Sequence, residues 1–229
     1  MSAIRENFLQ IQNRIAAAAE RAGRHPSSVR LVAVSKTKPV SLILEAIVAG
    51  VTDIGENRVQ EAESKYDQIE RPVKWHLVGH LQTNKVKSAL RMFDLIHSVD
   101  SLRLLTEIDR RSAQVNRQTE VLIQINTSAE PSKYGIEPDE ALAFIESTLD
   151  YSHVRIKGLM TIGAFLPDPK EVRPSFVLLR QLKEKIMAQQ FPGIDLEYLS
   201  MGMTNDFEVA IEEGANLVRI GTAIFGARE

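Results

Sequence analysis

Apolar residues recur at Ile4, Phe8, Ile11, Ile15, Ala18 and Ala22, the spacing of one helical face, and Gly23 follows as a stop. The pattern predicts an amphipathic N-terminal helix. It then changes. Leu31-Val32-Ala33-Val34-Ser35-Lys36 is a short apolar run rich in β-branched residues, with Pro39 just beyond, and it predicts a buried strand. From there short apolar runs alternate with amphipathic stretches. Further strands are expected at 53–57, 74–79, 95–99, 120–126, 156–162, 196–200 and 217–221. Helices are expected over 40–49, 58–67, a short stretch ending at 92, 101–115, 138–149, 171–190 and 206–213. Residues 127–135 read as a polar loop, and Pro167 and Pro169 mark another.

Strict alternation of strand and helix implies parallel strands joined by helical crossovers. Eight such units close naturally into a (β/α)8 barrel. The expected fold is therefore α/β, a single-domain TIM barrel over residues 1–229 with an extra N-terminal helix. A doubly wound open sheet is the rival, but its dinucleotide form would carry G-x-G-x-x-G just after the first strand, and none is there.

Composition narrows the function classes. A chain of 229 residues, 44% of them hydrophobic, can bury a substantial core. The formal net charge of −2 argues against non-specific nucleic-acid binding, which needs an excess of Lys and Arg. With no cysteine, disulfides, thiolate metal sites and cysteine nucleophiles are excluded. The N-terminal stretch has no signal-peptide core, and no apolar run is long enough to span a bilayer, so a cytoplasmic protein with no membrane association is expected.

In a barrel of this kind the active site lies at the C-terminal ends of the strands. Lys36, Asn57, His80, Asn126, Met160, Thr161, Ser200 and Arg219 all fall at or near those ends. On strand alternation Lys36 shares a face with Val32 and Val34. Its amine would emerge at the end of a buried strand, where desolvation makes a lysine nucleophilic and suited to a Schiff base; the alternative is a lysine simply reaching solvent. The loops after the seventh and eighth strands are the usual phosphate corner. Here they read Ser200-Met201-Gly202-Met203-Thr204 and Gly221-Thr222-Ala223-Ile224-Phe225-Gly226, glycines and hydroxyls suited to an anion. Arg219 lies between Val218 and Ile220 in a strand expected to be buried, so it requires a partner, either a carboxylate such as Glu197 or a ligand. A guanidinium facing a pyridine nitrogen would hold it unprotonated. His76, His80 and His97 sit on different units without metal-ligand spacing, and no metal is expected. Lys133, Tyr134 and Gly135 form a polar loop that could fold over a site, and Trp75 and Phe176 read as core.

These residues also resemble a known family. Ala33-Val34-Ser35-Lys36-Thr37-Lys38-Pro39, Gly55-Glu56-Asn57-Arg58-Val59-Gln60-Glu61, Trp75-His76-Leu77-Val78-Gly79-His80-Leu81-Gln82-Thr83-Asn84-Lys85 and Ser132-Lys133-Tyr134-Gly135 are similar, in order, to the pyridoxal 5′-phosphate (PLP) homeostasis proteins of the YggS/PROSC type. Leu159-Met160-Thr161-Ile162, Leu199-Ser200-Met201-Gly202-Met203-Thr204-Asn205-Asp206 and Val218-Arg219-Ile220-Gly221-Thr222-Ala223-Ile224-Phe225-Gly226 complete the resemblance. It implies a barrel like the N-terminal domain of alanine racemase, with PLP as a Schiff base on Lys36. It further implies that Ser200, Gly202, Gly221 and Thr222 hold the phosphate, that Arg219 faces the ring nitrogen, that Asn57 lies beside the ring, and that Met160 and His80 line the pocket. The implied role is intracellular PLP and vitamin B6 homeostasis and amino-acid/keto-acid balance without efficient turnover, with PLP-requiring apoenzymes as candidate recipients; a monomer is expected because the barrel assignment leaves no long apolar stripe uncovered. Alanine racemase uses a second base from a C-terminal β-domain, and this sequence carries no such domain after Gly226, which would leave proton transfer one-sided. Two other readings stand beside this one. The first is a one-base PLP-dependent racemase with Lys36 as the base and Tyr134 or His80 opposite; the second is a cofactor-free Schiff-base aldolase acting on a sugar phosphate.

Overall fold

Arg30–Val34 forms β1, and its two neighbours settle the architecture: it pairs in parallel with β2 (Asp53–Glu56) on one side and with β8 (Leu217–Ile220) on the other. Between them lie β3 (Lys74–Leu77), β4 (Leu95–Val99), β5 (Thr119–Gln124), β6 (Val154–Met160) and β7 (Tyr198–Ser200), and the eight strands close a barrel in sequence order. This is the expected (β/α)8 barrel, and the open sheet is ruled out. The computed structural model describes residues 2–128, 130, 134–164, 166 and 168–227. Ser132, Lys133 and Pro167, named above, lie outside the described residues.

Strand alternation sorts the core into two layers. Val32, Val34, Val78, Leu95, Leu122, Met160 and Leu217 meet inside the barrel. Their strand neighbours, such as Leu31, Ala33, Ile54, Trp75 and Leu77, face the surrounding helices. Those helices are α1 (Ala3–Arg21), α2 (Val40–Ala49), α3 (Val59–Tyr66), α4 (Val86–Met92), α5 (Leu102–Gln114), α6 (Ala141–Glu146), α7 (Arg173–Met187), α8 (Phe207–Glu212) and α9 (Thr222–Phe225). The extra helix α1 is capped by Ser2, whose hydroxyl accepts from Arg5 N, and it buries Ile4, Phe8, Ile11 and Ile15 against α2, α8 and α9. Gly50 ends α2 at φ 116°, a left-handed conformation that glycine adopts without a Cβ penalty.

Three departures from the expected elements have local causes. α6 is shorter than residues 138–149 because turns flank it: Thr148 N and Leu149 N donate to the carbonyls three residues back, Ile145 and Glu146, which ends the helical ladder. β6 starts at Val154 rather than 156, since Val154, Arg155 and Ile156 already alternate between buried and exposed. The stretch after β8, read as a loop, contains the one-turn α9.

Candidate functional site

At the C-terminal ends of the strands the barrel opens into a cavity of about 600 Å³, lined among others by Lys36, Asn57, Asp206, Arg219, Gly221 and Thr222. Five residues expected at the site (Lys36, Asn57, Arg219, Gly221 and Thr222) thus share one concavity. Met160, Ser200 and Gly202 are buried and are not among its lining residues. Gly202 is required there by its backbone: φ is 91°, and a Cβ would sit 2.6 Å from Ala210 Cβ and 2.9 Å from Phe207 Cα. His80 and Tyr134 do not line the cavity. Their rings stack on each other at 4.1 Å, and His80 Nδ1 lies 3.3 Å from Asp100 Oδ2. Leu166, Met203, Thr204 and Phe225 complete much of the wall. No periodic pattern marks Leu166, which falls in an irregular segment.

Lys36 is half-buried in the turn after β1, two residues beyond Val34, and the next residue, Thr37, takes φ 63°. A β-branched residue in the left-handed region costs of order 1–3 kcal/mol, so the surroundings must impose it. They do so through a buried cluster. Glu61 Oε1 accepts from Thr37 N and from Lys65 Nζ. Lys65 Nζ also donates to Ser35 O (3.0 Å) and to Glu56 Oε1 (2.8 Å), and Ser35 Oγ donates to the same Glu56 oxygen (2.7 Å). Ser35 and Thr37, on either side of Lys36, are therefore both clamped by α3 and β2, and Lys38 Nζ ties the turn to Ala227 O at 2.7 Å. Burial raises the Glu56 carboxyl, opposed by its bonds from Lys65 and Ser35. Removing the ammonium leaves that carboxyl buried without its charge partner. Lys65→Met is expected to lower unfolding stability by about 3–5 kcal/mol in urea titrations; a loss below about 1 kcal/mol would show that the cluster does not clamp the turn.

Arg219, on β8, faces inward with 5% of its surface exposed. The carboxylate partner considered for it is not used: Glu197 lies before β7 and pairs with Lys157 at 2.9 Å. Arg219 instead donates from Nη1 to Ser200 Oγ (2.5 Å) and from Nη2 to Thr161 O (2.8 Å). Burial lowers its pKa to about 10, with the charge of Asp206 opposing the shift. Asp206 is itself pushed up by burial, and its Oδ1 accepts from Met203 N at 2.5 Å. The site thus offers an amine, a guanidinium fixed from behind, and a glycine–hydroxyl corner where a Cβ on Gly221 would approach Val34 O to 3.0 Å.

Residues 2–229 match the model of the alanine racemase N-terminal domain. A pyridoxal phosphate homeostasis protein of Aquifex aeolicus is 43% identical over 225 residues, covering 98% of both chains. The pyridoxal phosphate homeostasis protein of Escherichia coli K12 is 42% identical over 239 residues, covering 100% of this chain and 98% of its own.

The chain belongs to the pyridoxal phosphate homeostasis protein family.

Solved structures agree with this membership. PipY of Synechococcus elongatus with PLP bound superposes with a TM-score of 0.82 at 37% identity, covering 93% of this chain and 100% of that one. An alanine racemase of Clostridium difficile shares the fold alone, with a TM-score of 0.77 at 14% identity, and the match covers 98% of this chain and 59% of the racemase.

Proposed function

We propose that this chain binds PLP through a Schiff base on Lys36 and serves intracellular PLP homeostasis without efficient turnover. The observation that carries this reading is the shared cavity: an amine (Lys36), a donor-only guanidinium (Arg219) and a glycine–hydroxyl corner (Gly221, Thr222) line one space, in a chain 37% identical to a PLP-bound relative. The residues fit the group. Gly221 and Thr222 would take the phosphate, Asn57 would lie beside the ring, and Arg219 would face the ring nitrogen and keep it unprotonated. Ser200, Gly202 and Met160 would support this lining. Bound PLP supplies an electron sink to amines condensed with it, and an unprotonated ring weakens that sink. Proton traffic also has few conductors here. His80 and Tyr134 stack on each other and are not among the residues lining the cavity, which supports one-sided proton transfer. The protein would act in the cytoplasm as a monomer and yield PLP to apoenzymes that require it.

The test is turnover beside transfer. PLP-loaded chain incubated with L-alanine in deuterated water should exchange the Cα proton no more than about tenfold faster than free PLP, while restoring activity to a PLP-requiring apoenzyme. Exchange at enzymatic rates would replace this reading with the one-base racemase.

A further inference from the structure

Five side chains from five strands form a continuous line through the barrel interior, and the cavity shows only its last member. Asp53 Oδ1, at the start of β2, lies 2.9 Å from His76 Nε2 on β3. His76 Nδ1 lies 3.0 Å from His97 Nε2 on β4, and His97 Nδ1 lies 2.9 Å from Ser200 Oγ on β7. Ser200 Oγ is 2.5 Å from Arg219 Nη1. Of these side chains Arg219 and Asp53 are at most 5% exposed, and Ser200, His76 and His97 at most 1%. At its far end the line meets half-exposed Arg30, whose Nε is 3.8 Å from Asp53 Oδ1.

Hydrogen-bond accounting gives the line one direction. Arg219 can only donate, so Ser200 Oγ accepts from it. The Ser200 hydroxyl is buried and its own proton needs an acceptor; His97 Nδ1 stands within reach. His97 therefore carries its proton on Nε2 and donates to His76 Nδ1. His76 in turn carries its proton on Nε2 and donates to Asp53, a carboxylate that can only accept. Every donor has one acceptor with both imidazoles neutral. The electrostatics agree at both ends. Burial, with the Arg219 charge close by, holds His97 well below the ordinary histidine range. At Asp53 the upward push of burial is outweighed by hydrogen bonds from His76 and Thr52 and by Arg30. Among the described residues no group of three or more His, Asp or Glu side chains could hold a metal ion.

We infer that Asp53, His76 and His97 are positioning residues for the cofactor pocket: through Ser200 they fix Arg219, and they turn the Ser200 hydroxyl proton inward, away from any bound phosphate. This rests on the PLP reading of the cavity. In it Ser200 is a link in the line and gives the phosphate no O–H donor, a role left to Thr222 and backbone amides.

Two measurements decide it. Long-range proton–nitrogen NMR on uniformly 15N-labelled, PLP-free protein at pH 7.5 should show His76 and His97 both neutral and both protonated on Nε2. An Nδ1 proton or an imidazolium on either would overturn the relay without any variant. PLP titration followed by the visible band then compares His97→Phe with His97→Gln, whose amide keeps one acceptor and one donor. His97→Phe should bind about tenfold or more weakly with a displaced band, and His97→Gln within about threefold of wild type. A folded His97→Phe protein with wild-type affinity and band position would also overturn it. Failure of the wild type itself to take up PLP would instead sink the cofactor reading, with the tautomers still deciding the relay.

Discussion

Lys36→Ala protein is expected to bind PLP at least about a hundredfold more weakly than wild type and to show no visible band that borohydride bleaches. The size of the effect follows from what the turn is built to do. Lys36 sits in a backbone turn held by Glu61 and Lys65, at the mouth of a cavity of about 600 Å³. Alanine leaves in place the contacts of Ser35, Thr37 and Lys38 that hold the turn. Any change in stability is then read apart from the loss of the covalent link. Titration by absorbance and a urea melt on the same preparation separate the two. Retained affinity with a bleachable band would place the Schiff base on another lysine, and Lys38, which also lines the cavity, would be the first to examine.

Gly79→Ala should produce the largest combined loss of stability and binding. Gly79 follows β3, and a Cβ there would lie 2.3 Å from Asn57 O, 2.9 Å from Asn57 Cα and 3.0 Å from Asn57 C. All three are backbone atoms, so no side-chain rotation relieves the clash; the ends of β2 and β3 must separate. Overpacking of this kind costs about 3 kcal/mol or more, and it displaces Asn57 from the cavity wall. Gly193→Ala is the matched control: its φ is 74°, but a Cβ there meets nothing within 4 Å and lies far from the site. Gly193→Ala should cost only about 1 kcal/mol and leave PLP affinity unchanged. Equal losses in the two variants would show that the approach to Asn57 is not what requires glycine at residue 79.

Much of the architecture was legible because it is local. The α1 face from Ile4 to Ala22 and the α2 boundaries, with Gly50 as stop, needed only periodicity and a cap. The alternation that put Lys36 on the face of Val32 and Val34 also identified the barrel interior, where those valines are buried. Five of the eight expected site residues line the cavity for the same reason: each sits at or just past the C-terminal end of a strand. What stayed hidden depends on stagger between strands. His76 and His97 meet because β3 pairs with β4 in a register that sets His76 beside Leu95, which no local pattern in either strand encodes. A signal was present all the same: in Trp75-His76-Leu77 a polar residue stands at an inward position between outward apolar ones, and His97 follows the outward Ile96 in the same way. Arg219 was rightly expected to need a partner, but the chain offered Glu197 first. Glu197 lies at the opposite end of β7 from Ser200, beside Lys157, and distance along a strand removes it. The cluster of Ser35, Glu56, Lys65 and Glu61 was not legible because residues 58–67 show only a charged helical stretch, and nothing in that pattern marks Lys65 as buried.

The central claim is that PLP is held covalently by Lys36 in the barrel mouth. Wild-type protein loaded with PLP, reduced with borohydride, digested and analysed by peptide mass spectrometry tests it directly. The account predicts one dominant pyridoxyl-modified peptide, with the modification on Lys36. Modification spread over surface lysines, or none after reduction, would contradict it.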